Sequence, residues 1–298
     1  MPAEAGTPYL EVQETLKTSP RYFGFAAAGL ALLFAKPLFD LAQFALKSNT
    51  FSHIVLIPFI AGYLASLRWK AAMQHLQTSS SVALIPLTGG VLLLALNWLF
   101  ARSVEARLCL YTLSFVLFVA TAAFHFLGRT AVRHLAFPLA FLLFMVPLPP
   151  FAMDALEVFF QHASAFAAAI MMKLSGLPAM QEGLFFQLPG FAIEVAQECS
   201  GIRSTLVLFI TSLVAGYLLL RRPRDRAILA LAIIPLAILR NGFRIFSLAW
   251  LSVEVNPGII DSALHHRGGP IFFALSLIPL FLLLLLLRRL EKKHAYAS

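Results

Sequence analysis

Gly269–Leu287 reads GPIFFALSLIPLFLLLLLL, nineteen residues without a charge, and Arg288 and Arg289 follow at once. A helix rises about 1.5 Å per residue, so roughly 20 apolar residues cross the ~30 Å of hydrocarbon in a bilayer. A cationic stop beside such a run is what a membrane boundary favours. Seven more runs have the same character: 22–46, 51–67, 82–100, 108–127, 134–148, 200–220 and 227–253. The pattern predicts an all-α, polytopic membrane bundle of about eight transmembrane helices.

Composition points the same way. Of the 298 residues, 60% are hydrophobic and 12% charged, with mean hydropathy +0.83, well outside the mix of a soluble domain. The net charge of +9 does not indicate a nucleic-acid partner, because the basic residues flank the apolar runs instead of lining one polar face. The surroundings are membrane lipids. Two cysteines, Cys109 and Cys199, are too few for a disulfide framework or a zinc site. Residues 1–21 are polar and carry Glu4, Glu11 and Glu14. They lack the basic-then-apolar design of a cleavable signal, so insertion is expected to depend on the first span.

The basic clusters set an orientation. With eight alternating helices, Arg68 and Lys70, Arg129 and Arg133, Arg221–Arg226 and Arg288–Lys293 share one side, which the positive-inside rule makes cytoplasmic. The loop with Arg102, Glu105 and Arg107 is the one outer exception. The expected organisation is a cytoplasmic polar segment at 1–21, a single transmembrane domain at 22–290 and a cytoplasmic tail at 291–298. Phe151–Gly176 fits this alternation only outside, because Asp154, Glu157 and Gln161 recur at helical spacing. It is expected to be an amphipathic helix in the outer interface, or a re-entrant one. Leu184–Val195, rich in β-branched and aromatic residues around Pro189 and Gly190, is expected to be extended.

Three polar groups then map to the outer end of the bundle. Cys199 opens the sixth span in the run Gln197-Glu198-Cys199-Ser200-Gly201-Ile202-Arg203-Ser204. A thiol there feels the positive end of a helix dipole and unpaired N–H groups, which favour thiolate and can hold an oxyanion. Cys109, deep in an apolar run, reads as a small apolar residue. Arg240 and Arg244 lie four residues apart in the seventh span, where each arginine costs about 2.5–3.5 kcal/mol on insertion scales. Arg244 is nearer the outer end and suits a thiolate, an oxyanion or a substrate carboxylate. The competing reading has both arginines snorkelling or pairing with Glu194 or Glu254. His265 and His266 precede the last span, and either is placed to serve as acid and base for a cysteine. Ser200, Arg203, Asn241 and His53 are further supporting or substrate-binding candidates, each with an ordinary structural alternative. No metal-ligand spacing is present, and no cofactor is implied.

These residues resemble the exosortase/archaeosortase family of integral membrane cysteine enzymes, chiefly from about Phe141 to Phe273. The matching pieces run in order: Met145-Val146-Pro147-Leu148-Pro149, Gly183, Leu188-Pro189-Gly190, then Cys199-Ser200-Gly201-Ile202-Arg203-Ser204. Asn241-Gly242-Phe243-Arg244-Ile245 is similar to the family's Asn-x-x-Arg-Ile, and His265 before Gly269 to its His-x-x-x-Gly. Ser52-His53-Ile54 stands where the family has Ser-His-Gly. The resemblance implies Cys199 as nucleophile, Arg244 as the orienting cation and His265 as acid/base, with histidine marking the bacterial type. It implies exported protein substrates whose carboxyl-terminal sorting signal combines a short motif of the Pro-Glu-Pro kind, a transmembrane helix and a basic tail. It implies cleavage at the periplasmic face of the bacterial inner membrane. Departures are Arg240, where the family usually has a small residue, and Pro270, where it often has an aromatic. Two other functions compete: a transporter or channel with an Arg/His-lined path, and a non-catalytic scaffold for envelope assembly. The sequence carries no reading of oligomeric state.

Overall fold

Proline bends the first apolar run. In the computed structural model, which describes residues 8–48, 50–76, 80–195, 201–256, 258 and 269–297, the single helix expected over 22–46 is two. These are α1 (Pro8–Leu33) and α2 (Ala35–Lys47), bent by 69°. Pro37 lacks the N–H that would bond to the carbonyl of Leu33, and its ring crowds that carbonyl. The chain breaks at Phe34.

Seven helices among the described residues are long and apolar enough to cross a membrane, or eight if the bent pair is one span. Six match expected runs. They are α3 (Ile57–Met73) with the 3-10 turn Ser52–Leu56 before it, α4 (Ser80–Phe100), α5 (Val104–Phe126), α8 (Ile202–Leu219), the α9 and α10 pair (Pro223–Leu231 and Ile233–Glu254), and α11 (Gly269–Ala297). The seventh is α7 (Pro150–Ser175), 26 residues long. It was expected in the interface, yet it has the length and apolarity of a span. Residues 134–148, expected to span, instead form the end of a 14-residue helix, α6 (Gly128–Phe141), and the 3-10 turn Leu142–Met145. Arg129, Arg133 and His134 take up the polar half of α6 and leave too short an apolar run.

Large apolar side chains face outward throughout, Trp98 at 87% and Leu174 at 82% exposure among them. Water would not tolerate surfaces of this extent, and lipid covers them. The protein is a membrane protein.

The chain groups into two compact units, 1–150 and 151–298. In the first, α4 and α5 form a hairpin whose turn is capped by Ser103, its Oγ accepting from the N–H of Ala106 at 3.1 Å. Asn97 Nδ2 donates to the Arg107 carbonyl at 3.1 Å across the same turn. Small residues let α3, α5 and α6 meet: Ala72, Ala123 and Ala131 are fully buried together with Leu127.

In the second unit, β1 (Met180–Glu182), β2 (Phe185–Leu188) and β3 (Phe191–Glu194) form an antiparallel sheet in the order β1-β2-β3. Phe186, Leu188 and Val195 pack its inner side on Ala165, Ala168 and Met172 of α7 and on Ile245 and Ala249 of α10. Helices α7 and α10 approach closely at Gly242, where a Cβ would stand 2.8 Å from Ala167 Cβ and 3.2 Å from the backbone of Ala168. At the other end of the unit, the carboxylate of Glu291 on α11 accepts from the N–H groups of Arg221 at 2.9 Å and Arg222 at 2.7 Å. That contact caps the start of α9 and brings the 221–226 and 288–293 basic clusters to one end of the unit, as their shared sign requires.

Candidate active site

Helix α8 begins on a glycine for a steric reason. Gly201 is the residue before its first turn and sits at φ 71°, ψ 12°, the left-handed region that L side chains avoid. A Cβ here would lie 2.8 Å from Arg240 Nη2 and 3.1 Å from Asn241 Oδ1. The carbonyl of Gly201 gathers donors: the Thr205 N–H at 3.0 Å, Ser204 Oγ and Thr205 Oγ1 at 2.9 Å, and Arg240 Nη2 at 3.1 Å. Arg240 Nη2 also lies 3.5 Å from Thr205 Oγ1. The guanidinium of α10 is therefore fastened to the turn that starts α8, two residues past Cys199 in the chain.

Arg240 is 8% exposed and Asn241 2%. Among the described residues Arg240 has no carboxylate partner, and Glu194 and Glu254, the acids expected to compete for it, are both exposed. Its Nη1 is buried with no hydrogen-bond partner among the described residues, as are Ser164 Oγ on α7 and Ser252 Oγ on α10. Arg244, one turn on, is half-buried on α10. Arg240 at the turn that starts α8, with Arg244 one helical turn further along α10, gives this part of the unit two guanidiniums with little water around the first. Such a pair stabilises negative charge on a thiolate, an oxyanion or a carboxylate.

Of the sequence candidates, the structure brings Arg240 and Asn241 to Gly201, with Arg244 on the same helix. Arg203 lies on α8 and is exposed. His53 lies in the first unit, in the 3-10 turn before α3, its ring 6.5 Å from that of Phe51. Cys199, Ser200, His265 and His266 lie outside the described residues. Sequence reasoning missed Gly201 and Thr205 as partners of Arg240. It also read Gln161 as part of a polar outer face, whereas Gln161 is 7% exposed and donates through Nε2 to the Val195 carbonyl at 2.5 Å, holding the end of β3 to α7.

Arg240→Met should separate anchoring from stability. Replacing a buried charge by an apolar residue of similar length is often neutral or stabilising, so the thermal midpoint is expected to hold or rise. The Gly201 turn loses its brace, and whatever turnover the site supports is expected to fall about tenfold or more. Thermal unfolding and an activity assay on the same preparation check both halves.

A polytopic membrane protein with a buried cationic site at a helix mouth is the class that this fold and site define. Residues 42–282, most of the chain, match the family described as transmembrane exosortase (Exosortase_EpsH). The chain belongs to the transmembrane exosortase family. No curated protein and no solved structure matches it.

Proposed function

We propose that this exosortase is a cysteine transpeptidase or protease acting on the carboxyl-terminal sorting signals of exported proteins. Cys199 is the nucleophile, Arg244 the cation facing the developing negative charge, and His265 the acid and base. The thiolate of Cys199 adds to the carbonyl carbon of a peptide bond near the sorting motif, and α8 amides with Arg244 hold the resulting oxyanion. The C–N bond breaks, His265 gives a proton to the departing amine, and a thioester remains. An acceptor amine or water then attacks the thioester, His265 takes the proton, and the thiolate is restored.

The enzyme works in the bacterial inner membrane, with both termini cytoplasmic and the site at the periplasmic face. A site at the outer end of a bundle suits a substrate that is itself a membrane span. The observation that carries this reading is the 3.1 Å bond from Arg240 Nη2 to the Gly201 carbonyl. It ties the helix that bears Arg244 to the turn that follows Cys199.

The test is a co-expressed substrate bearing the motif, helix and basic tail, its mass followed in intact cells. A membrane-impermeant thiol reagent is expected to modify Cys199 from outside and to stop processing. Processing that continues with Cys199 fully modified would overturn the proposal. His265→Ala is expected to reduce turnover about 10²-fold or more, and His266→Ala much less, because only His265 keeps the spacing to Gly269. Equal or reversed losses reassign the base.

A further inference from the structure

The hydrogen-bond register of the small sheet decides which way β3 faces. β2 and β3 pair antiparallel with Phe185 opposite Glu194, Phe186 opposite Ile193 and Leu188 opposite Phe191. The same register puts Leu184 opposite Val195, and the N–H of Val195 donates to the Leu184 carbonyl at 2.9 Å. In an antiparallel ladder, hydrogen-bonded pairs alternate with pairs that do not bond. Phe191 and Ile193 therefore direct their backbone groups at β2, as Val195 does its N–H, while the Val195 carbonyl accepts from Gln161. The N–H and C=O groups of Ala192 and Glu194 point the other way, along the outer edge of β3.

Among the described residues no strand lies on that side, since β3 ends the order β1-β2-β3. Ala192 and Glu194 are exposed, while Phe191 and Ile193 are partly covered by the α7 and α10 core. An edge strand whose outward N–H and C=O groups meet no strand among the described residues is a template for another strand. The strand leads directly into the nucleophile: Cys199 follows Glu194 by five residues, a tether of at most about 18 Å at ~3.6 Å per residue.

We infer that the outer edge of β3 is the docking strand for the substrate, receiving the extended stretch beside its membrane helix by strand addition at Ala192 and Glu194. The inference rests on the function proposed above and adds how the substrate is held. A peptide laid along this edge bonds through its backbone, as in other strand-addition complexes. Strand addition holds the docked stretch extended, with the carbonyl of the residue to be cut accessible within the short tether to Cys199. Backbone pairing also leaves side-chain choice to other parts of the site.

The enzyme offers a clean test, because proline at position 192 deletes an outward N–H without touching the ladder to β2, a placement that edge strands tolerate. With full-length enzyme in lipid nanodiscs and a synthetic peptide of motif, helix and basic tail, Ala192→Pro is expected to raise KM about tenfold, with kcat changed less. A second measurement uses the unaltered enzyme. N-methylation of single backbone amides in the peptide is expected to weaken turnover at every second residue of the docked stretch. An unchanged KM in Ala192→Pro, or N-methyl losses without alternation, would overturn the inference, and so would a dimer that Ala192→Pro dissolves while KM stays put, which assigns the edge to a second copy. Loss of activity in Cys199→Ser beside a silent Ala192→Pro and a silent N-methyl series sinks strand docking alone. Full activity in Cys199→Ser sinks the enzyme reading itself.

Discussion

Cells carrying Cys199→Ser are expected to accumulate the full-length substrate, sorting tail attached, with processing down by about 10³-fold or more. Serine keeps the size and hydrogen-bonding capacity of the side chain, so the loss isolates the chemistry of sulfur. Under the proposed mechanism, a thiol just ahead of α8 in the chain is favoured as thiolate by the positive end of the helix dipole. A hydroxyl in the same place stays protonated, and an imidazole matched to a thiol does not make it a useful nucleophile. Cys109→Ser is the control. Cys109 lies within α5 as a free thiol, and its replacement is expected to leave processing intact. Mass measurement of the substrate in both strains checks the pair.

Arg244→Lys is expected to lower kcat by about 10²- to 10³-fold while leaving the protein folded and inserted. Lysine retains the charge but loses the planar fork, which presents two parallel N–H groups to a carboxylate or an oxyanion. Arg240, one turn away, holds the Gly201 carbonyl through Nη2 at 3.1 Å, a bond that Arg244→Lys leaves in place. Steady-state kinetics on the tail peptide provide the measurement. A lysine variant with wild-type kcat would reduce Arg244 to a simple positive charge.

Much of the fold was legible because lipid imposes one demand that composition answers directly: an apolar run of the right length must be a helix. That logic found α4, α5, α8 and α11 with little error. It was weaker where a few residues bend a helix or move it between classes. Pro37 splits the first span, and Pro235, by denying the Leu231 carbonyl its donor, separates α9 from α10 at Ala232. In α7, periodic Asp154, Glu157 and Gln161 suggested a polar face, but Gln161 turns inward to a backbone carbonyl of the sheet. Strand β1, three exposed residues long, has no pattern to read.

The site was half legible. Arg240 and Arg244 stood out because charges in a span need a reason, and Cys199 and the histidines because their neighbours are polar. The bond between Arg240 and Gly201 was not legible, since 39 residues separate them in sequence and nothing in either segment specifies which carbonyl a buried guanidinium will meet. Gly201 carried a usable signal: a glycine just ahead of an apolar run is where a chain enters a helix by a route other residues cannot take.

One measurement bears on the whole mechanism most directly, namely the mass of the peptide that contains Cys199, isolated by acid quench while the enzyme turns over its tail-bearing substrate. A thioester adduct equal in mass to the retained part of the substrate, removed by hydroxylamine and absent in Cys199→Ser, is the predicted result. Cleaved product accumulating with that peptide unmodified throughout, or an adduct found on a neighbouring serine instead, would contradict it.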